Sequence, residues 1–136
     1  MTIQQITTHT SIDQTLCGTP LEVETDSRSV VELTLLPSMC ADGTGLVHGG
    51  FLFGLADYAA MLAVNRRTVV LAGAKVSFRK PAVAGDVLTA YAAVDSITGP
   101  WRSVRVEIKK DGGQIFEGEF TCMVPERHVL DGKAKK

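Results

Sequence analysis

Four residues near the middle of the chain have the types and spacing to do chemistry together. His48, Gly49 and Gly50 precede a long apolar stretch, and that stretch holds a single carboxylate, Asp57. An unpaired charge in an apolar setting costs several kcal/mol unless its pKa shifts. An acid kept in such a place is therefore a candidate general base or nucleophile.

The two glycines suit a second task, the binding of an anion. They are predicted to lie in the first turn of a helix, where backbone N–H groups lack intrahelical acceptors. The helix dipole adds about half a positive charge at this end, which attracts anions. Because glycine has no Cβ, a ligand can approach its backbone closely. An oxyanion that develops on a carbonyl oxygen fits this site.

The spacing of the acid and the glycines favours a site shared by two subunits. Asp57 follows Gly49 by eight residues, just over two helical turns, or ~12 Å along the axis. Both groups cannot contact one carbonyl within a single subunit. The spacing therefore favours Asp57 of one subunit facing Gly49 of another across a two-fold axis, and a monomer is predicted to be inactive.

One long helix must carry these residues. Residues 48–65 contain no proline, and apolar side chains surround the whole circumference, which predicts a helix buried on every side. Alternating patterns predict strands around it, and Asp111-Gly112 predicts a tight hairpin turn. The strand patterns cover 20–26, 27–37, 68–78, 86–97, 101–110 and 114–124, and residues 11–17 suggest a short helix.

The order of these elements predicts an α+β fold. Consecutive strands with short links indicate an antiparallel sheet. Ala72 with Ala74, Ala90 with Ala92, and Gly118 would let a helix backbone come close to this sheet. A curved sheet wrapped around the helix is therefore favoured over a flat sheet, which would leave half of the apolar helix in water.

The composition is that of an ordinary globular domain. The 136 residues predict one domain over 1–136, with about 10 flexible residues at each end. The net charge of −1 favours neither nucleic acid nor membrane surfaces. Three cysteines without a CxxC spacing argue against disulfides and a metal site. With no signal peptide or membrane span recognised, a soluble cytoplasmic protein is predicted.

Two segments carry a resemblance to a known family. VHGGFLFGLADYAAMLAVN (47–65) resembles the HGGxxFxLADxAxxxA segment of acyl-CoA thioesterases of the phenylacetate-degradation type, which have the hotdog fold. FRKPAVAGDVLTAYAAV (78–94) is similar to their F-x-x-P-x-x-x-G-D-x-L-x-A segment. The resemblance covers roughly residues 20–124. It implies a curved antiparallel sheet wrapped around one long central helix.

The resemblance also implies an activity, the hydrolysis of a coenzyme A thioester between two subunits. Asp57 would be the general base or nucleophile, the Gly49 N–H the oxyanion donor, and His48 would lie beside it. Coenzyme A is expected as part of the substrate, with no cofactor or metal, in a homodimer or dimer of dimers. Expected substrate-binding residues are Gly50, Asp42, Arg79, Lys80, Ala72 and Gly73.

Further side chains are candidates for the rest of the substrate. Arginine and lysine suit the phosphates of coenzyme A, and an apolar pocket suits the acyl group. The phosphate candidates are Arg66, Arg67, Arg79 and Lys80, and the pocket candidates are Phe51, Phe53, Leu55 and Met61.

Two departures from the family pattern keep alternatives open. Asp42 stands where relatives often have asparagine, and like-charge repulsion would raise an acid pKa if Asp42 and Asp57 were close. Relatives often have a hydroxyl residue on the strand after the helix, whereas Leu71, Ala72 and Gly73 offer none. A non-catalytic acyl-CoA binding module or sensor is the alternative function. Hydratase or dehydratase chemistry is less favoured, because His48 precedes the helix rather than pairing with an acid on it.

Overall fold

The computed structural model describes residues 2–131, which form two helices, six strands and a short 3₁₀ turn. The elements in chain order are α1 (Gln14–Cys17), β1 (Thr19–Glu24), β2 (Arg28–Thr34), the 3₁₀ turn (Pro37–Met39), α2 (Gly49–Val64), β3 (Val70–Phe78), β4 (Val87–Thr98), β5 (Trp101–Lys110) and β6 (Gly113–Met123). The predicted central helix and the predicted strands are therefore present, with ends that shift by a few residues.

The six strands form one antiparallel sheet in the order β1-β2-β4-β5-β6-β3. The β5–β6 hairpin turns at Asp111 and Gly112, which both have positive φ (51° and 79°), as the Asp-Gly pair predicts. β3 follows α2 in the chain but pairs only with β6, at the edge of the sheet. The sheet curves around α2, and the predicted α+β hotdog fold is confirmed.

The carboxyl-terminal half of α2 lies in the core. The residues from Tyr58 to Val64 are all buried. Ala90 and Ala92 on β4 are buried as well, as expected for a sheet face that admits a helix closely. On β2, the buried Ser29 hydroxyl donates a 2.6 Å hydrogen bond to the Ala59 carbonyl. This half of the helix is held by packing and by a hydrogen bond to the sheet.

The end of α2 is closed by a network around Asn65. This residue has a left-handed backbone (φ 49°, ψ 47°), and its N–H bonds the Met61 carbonyl at 2.8 Å. Its side chain accepts from the Thr7 N–H at 2.9 Å and donates to the Gln5 carbonyl at 2.9 Å. The N-terminal segment, predicted to be flexible, is thus hydrogen-bonded to the helix end. The last five residues of the predicted flexible tail lie outside the described residues.

Two expectations about packing are wrong. The helix is not buried on every side, because Gly50 is exposed and Phe53, Gly54 and Asp57 are half-buried. The alanines of β3 do not receive the helix, since Ala72 and Ala74 are exposed. The physical reason is the edge position of β3, which takes this strand beyond the surface that α2 covers.

Gly118 does permit a close approach, but to β3 rather than to the helix. A Cβ at Gly118 would lie 2.7 Å from Cγ1 of Val76 and 3.0 Å from the Lys75 carbonyl oxygen. Only glycine therefore fits at this position of β6 without displacing the edge strand.

Candidate active site

The amino-terminal end of α2 presents free backbone donors. His48 caps the helix with extended backbone, and its N–H donates to the Met39 carbonyl at 3.0 Å. The His48 carbonyl accepts from the Phe51 N–H at 3.1 Å. Within residues 2–131, no group accepts from the N–H of Gly49 or Gly50. These two donors, at the positive end of the helix dipole, are available to an anion.

The His48 ring lies on the outside of the helix start. The residue is exposed, and its imidazole stands edge-on to Phe51, with the ring centroids 6.3 Å apart. A Cβ at Gly50 would lie 2.9 Å from this imidazole. The His48 ring therefore occupies the space that a side chain at position 50 would need.

Asp57 is the acid of the candidate site, and its surroundings change its pKa. The Oδ1 atom is buried and has no hydrogen-bond partner among the residues that the structure describes. Desolvation by burial raises the pKa of Asp57 to about 6. At neutral pH the carboxylate is therefore still mostly ionised, and it is a much stronger base than an exposed aspartate.

Two cysteines lie near this carboxyl group, and the sequence does not single them out for the site. Burial is the main cause that raises the pKa of Cys122 to about 12, and the Asp57 charge raises it further. The pKa of Cys17 is raised by burial, by Asp57 and by Asp13. Both thiols are protonated at neutral pH, so they pack beside the acid rather than act as nucleophiles. Their positions on α1 and β6 give no local signal of this proximity.

A cleft of about 300 Å³ lies beside Gly49. Its wall includes Leu52 and Phe78, and Arg79 and Lys80 line it as well. The ring of Phe78, which is 53% exposed, would be 3.1 Å from a Cβ at Gly49. The free N–H donors of the helix start therefore lie next to a groove that is largely apolar and carries basic residues.

The basic candidates divide into two groups. Arg79 is paired with Glu117 at 2.6 Å, whereas Lys80 makes no ion pair within residues 2–131. Arg66 lies at the opposite end of α2 and is paired with Asp26 at 2.6 Å. One site at the helix start therefore cannot include all of the candidate cations, and Lys80 is the cation most available there.

The remaining predicted residues are dispersed within one chain. Asp42 lies in an exposed loop, where hydrogen bonds from Thr44 lower its pKa. Burial raises the pKa of Asp57, and within residues 2–131 repulsion from Asp42 adds nothing to it. Ala72 and Gly73 lie exposed on the edge strand.

Of the four apolar pocket candidates, two belong to the core. Leu55 and Met61 are fully buried. Phe51 and Phe53 are half-buried, and Phe53 packs against Phe120 with the ring centroids 5.5 Å apart. Only the two phenylalanines are therefore within reach of a ligand.

No cluster of three or more His, Cys, Asp or Glu side chains suited to a metal ion occurs within residues 2–131. In the same part of the chain, neither helix has the length and apolar character needed to cross a bilayer.

The chain belongs to the thioesterase superfamily, whose family model matches residues 44–117. This match contains the helix start, the acid and the edge strand. The chain is similar to the acyl-coenzyme A thioesterase PaaI of Escherichia coli, with 34% identity over 92 residues that cover 63% of this chain and 65% of that protein. The predicted resemblance to thioesterases of the phenylacetate-degradation type is confirmed.

Two further proteins are more similar in sequence. The crystal structure of the uncharacterized protein PH1136 from Pyrococcus horikoshii has a TM-score of 0.93 at 44% identity, covering 96% of this chain and all of that one. A methylthioribose-1-phosphate isomerase of Aquifex aeolicus is 49% identical over 115 residues. That match covers 85% of this chain but only 25% of the relative, so this chain spans a quarter of the relative's length.

Proposed function

We propose that this protein hydrolyses an acyl-CoA thioester to the free acid and coenzyme A. The observation that carries the proposal is the Asp57 carboxyl, whose Oδ1 is buried without a partner among the described residues. Its pKa of about 6 suits a general base at neutral pH. The same helix begins with two N–H donors that have no acceptor among the described residues, beside a cleft with basic residues. Membership of the thioesterase superfamily supports this chemistry.

The active unit in this proposal is a dimer. Gly49 and Asp57 are separated by ~12 Å along α2, too far for one carbonyl group to contact both. The face that holds Gly50, Gly54 and Asp57 is only partly covered by residues 2–131. A two-fold axis beside this face brings Asp57 of each copy towards the helix start of the other.

The edge strand supports the proposed dimer. β3 spans nine residues and, within residues 2–131, pairs only with β6, so its outer edge presents backbone groups without a strand partner there. Long exposed edges promote pairing with another chain. Phe78 on this strand is 53% exposed although its ring also packs against Phe116. A second copy that pairs along β3 would cover this apolar surface.

The proposed reaction needs only these groups and water. Asp57 takes a proton from water as the water oxygen bonds to the thioester carbon. The carbonyl oxygen becomes an oxyanion, which accepts from the Gly49 N–H. The carbon–sulfur bond then breaks, and the coenzyme A thiolate takes the proton from Asp57. In this proposal Lys80, which lines the cleft beside Gly49, binds a phosphate of coenzyme A.

The test is thiol release from a panel of acyl-CoAs, measured with the wild type, Asp57→Asn and Asp95→Asn. Asp95 lies exposed on β4, so its variant controls for the loss of one negative charge. We expect Asp57→Asn to lose about 10²- to 10⁴-fold in kcat, the usual contribution of a general base. Full activity of Asp57→Asn would rule out this role for the acid.

A non-catalytic acyl-CoA binding module is the second candidate function. The absence of a hydroxyl side chain on Leu71, Ala72 and Gly73 favours it, since nothing in these side chains can orient a water molecule. Tight binding of acyl-CoA by the wild type, with no thiol release from any member of the panel, would support this function instead.

A further inference from the structure

Gly54 is the glycine of α2 that neither backbone conformation nor packing within the chain explains. Its backbone is helical, with no positive φ. A Cβ there would meet no atom of the described residues within 4 Å, whereas a Cβ at Gly49 or Gly50 would lie 3.1 or 2.9 Å from a side-chain ring. Because glycine weakens a helix relative to alanine, residues 2–131 by themselves favour alanine at position 54. The space at Gly54 is therefore open to a group from outside the chain.

Gly54 lies beside the acid of the candidate site. It precedes Asp57 by three residues, so the two positions share a face of α2 and are about 5 to 6 Å apart at Cβ. Side chains of a helix lean towards its N-terminus, over the residues three and four positions earlier. The Asp57 carboxyl is therefore directed over the turn that contains Phe53 and Gly54.

The same face of α2 closes on the other side of Asp57. Ala60 and Met61, three and four residues later, are fully buried. On the near side, Phe53 and Gly54 are only half-buried. A substrate group that continues along the helix from the acid therefore passes over Gly54, with the Phe53 ring as an apolar neighbour.

The two ends of an acyl-CoA suit different parts of the site. In the proposed dimer, the thioester carbonyl lies between Asp57 of one copy and the helix start of the other. The cleft beside Gly49 carries Lys80, which suits the phosphates of coenzyme A. Residues 50–56 of α2 carry no charge, so the surface at Gly54 suits the acyl group.

We infer that Gly54 is a specificity-determining residue, whose lack of a side chain leaves room for acyl groups longer than acetyl. The carbons beyond the thioester carbonyl lie on the turn of α2 before Asp57, against the Phe53 ring. This inference rests on the proposed hydrolase function. A side chain at position 54 then shortens the acyl group that the site accepts.

Gly54→Leu tests this role, with acetyl-CoA and hexanoyl-CoA as substrates. Leucine favours a helix, and its side chain would fill the space that the acyl group occupies. We expect the ratio of kcat/KM for hexanoyl-CoA to kcat/KM for acetyl-CoA to fall about 10- to 100-fold below that of the wild type. Gly113→Leu, at an exposed position of the β5–β6 hairpin, is the control and should keep the wild-type ratio. An unchanged ratio in Gly54→Leu, or an equal loss with both substrates, would overturn the inference.

Gly54→Ala gives a second test, through stability rather than activity. The added Cβ meets no atom of the described residues within 4 Å, so alanine should raise the urea concentration at the midpoint of unfolding. The mass of the oligomer should remain that of the wild type. A lower midpoint, or dissociation of the oligomer, would show that another copy of the chain covers Gly54 and would overturn the inference.

Failure of this inference and failure of the proposed function give different results. If the wild type releases no thiol from any acyl-CoA, both are refuted. If the wild type is active but Gly54→Leu keeps the substrate ratio, or if the wild type hydrolyses acetyl-CoA and not hexanoyl-CoA, only the role of Gly54 is refuted.

Discussion

At its carboxyl end, helix α2 is sealed: residues 58–65 are buried, and the side chain of Asn65 joins the helix to the N-terminal segment. At its amino end the same helix is open, with Gly50 exposed, Phe53 and Asp57 half-buried and two N–H groups without acceptors among the described residues. The carboxyl-terminal half of α2, the closed half, therefore stabilises the fold. The amino-terminal half, the open half, keeps polar groups available for a ligand although leaving them unpaired lowers the stability of the fold. Such uncompensated groups are typical of functional sites rather than of structural ones.

The largest stability effect is expected in the closed half. Asn65→Ala removes buried hydrogen bonds to Thr7, Gln5 and Thr25 and places alanine in a left-handed conformation. We expect a loss of about 2 to 4 kcal/mol in the free energy of unfolding, measured in urea. Glycine adopts the left-handed conformation without strain, so the free energy of unfolding of Asn65→Gly should fall by about 1 kcal/mol less than that of Asn65→Ala. At urea concentrations well below the unfolding transition, kcat of Asn65→Ala should equal that of the wild type. A large loss of kcat would mean that the carboxyl-terminal half of α2 also contributes to activity.

In the open half, Asp57→Asn is expected to stabilise the protein at neutral pH. The native pKa is about 6 against 3.8 for a free aspartate, so the native state binds more protons between those values. The free energy of unfolding of the wild type therefore falls as pH rises from about 4 to 6.

Above pH 6, the free energy of unfolding of Asp57→Asn should exceed that of the wild type by about 1 to 3 kcal/mol. The two should be nearly equal at pH 4. Unfolding curves at both pH values check this, with Asp95→Asn as the charge control. A variant less stable than the wild type at pH 8 would show that the carboxylate is structural.

Gly49→Ala should reduce activity by a smaller factor. The added Cβ would lie 3.1 Å from the Phe78 ring, so the ring must shift and the approach to the N–H is narrowed. We expect kcat to fall about tenfold, less than for the loss of an oxyanion donor because the N–H remains. Gly113→Ala, whose Cβ would meet only the Lys110 carbonyl oxygen, at 3.6 Å, should keep wild-type kcat. Equal behaviour of the two variants would exclude Gly49 from the site.

The smallest effect is expected for Lys80→Ala. A single exposed charge contributes at most about 1 kcal/mol, so KM for an acyl-CoA should rise about two- to fivefold and the increase should shrink in high salt. Arg79→Ala should change KM less, because its guanidinium already pairs with Glu117. With an acyl-pantetheine, which lacks the nucleotide phosphates, Lys80→Ala should match the wild type. A KM increase with both substrates would mean that Lys80 does not bind phosphate.

Much of the fold follows from local patterns. The helix predicted over 48–65 spans Gly49–Val64, and its flanking residues His48 and Asn65 are the observed caps. The β5–β6 hairpin forms where Asp111-Gly112 predicts it. These features depend on backbone sterics and side-chain periodicity within short segments, so neighbouring residues suffice to predict them.

The candidate site is only partly predictable. The glycine pair and the acid are recognisable because their types are unusual in an apolar segment. Arg66 is adjacent in sequence to the helix but lies at its other end, paired with Asp26. Cys17 and Cys122 lie near Asp57, although both are distant from it in the chain. Proximity of this kind depends on which strands pair, and no local pattern encodes it.

By itself, the sequence determined the elements, their antiparallel arrangement, and the presence of an acid about two turns beyond a glycine-rich helix start. Only the tertiary structure decided that β3 lies at the edge beside β6, and that one face of the amino-terminal half of α2 is left partly exposed. The physical reason is the distance along the chain over which each interaction acts. Hydrogen-bonding period and turn chemistry act over a few residues, whereas strand order and the desolvation that raises the pKa of Asp57 depend on groups brought together from the whole chain.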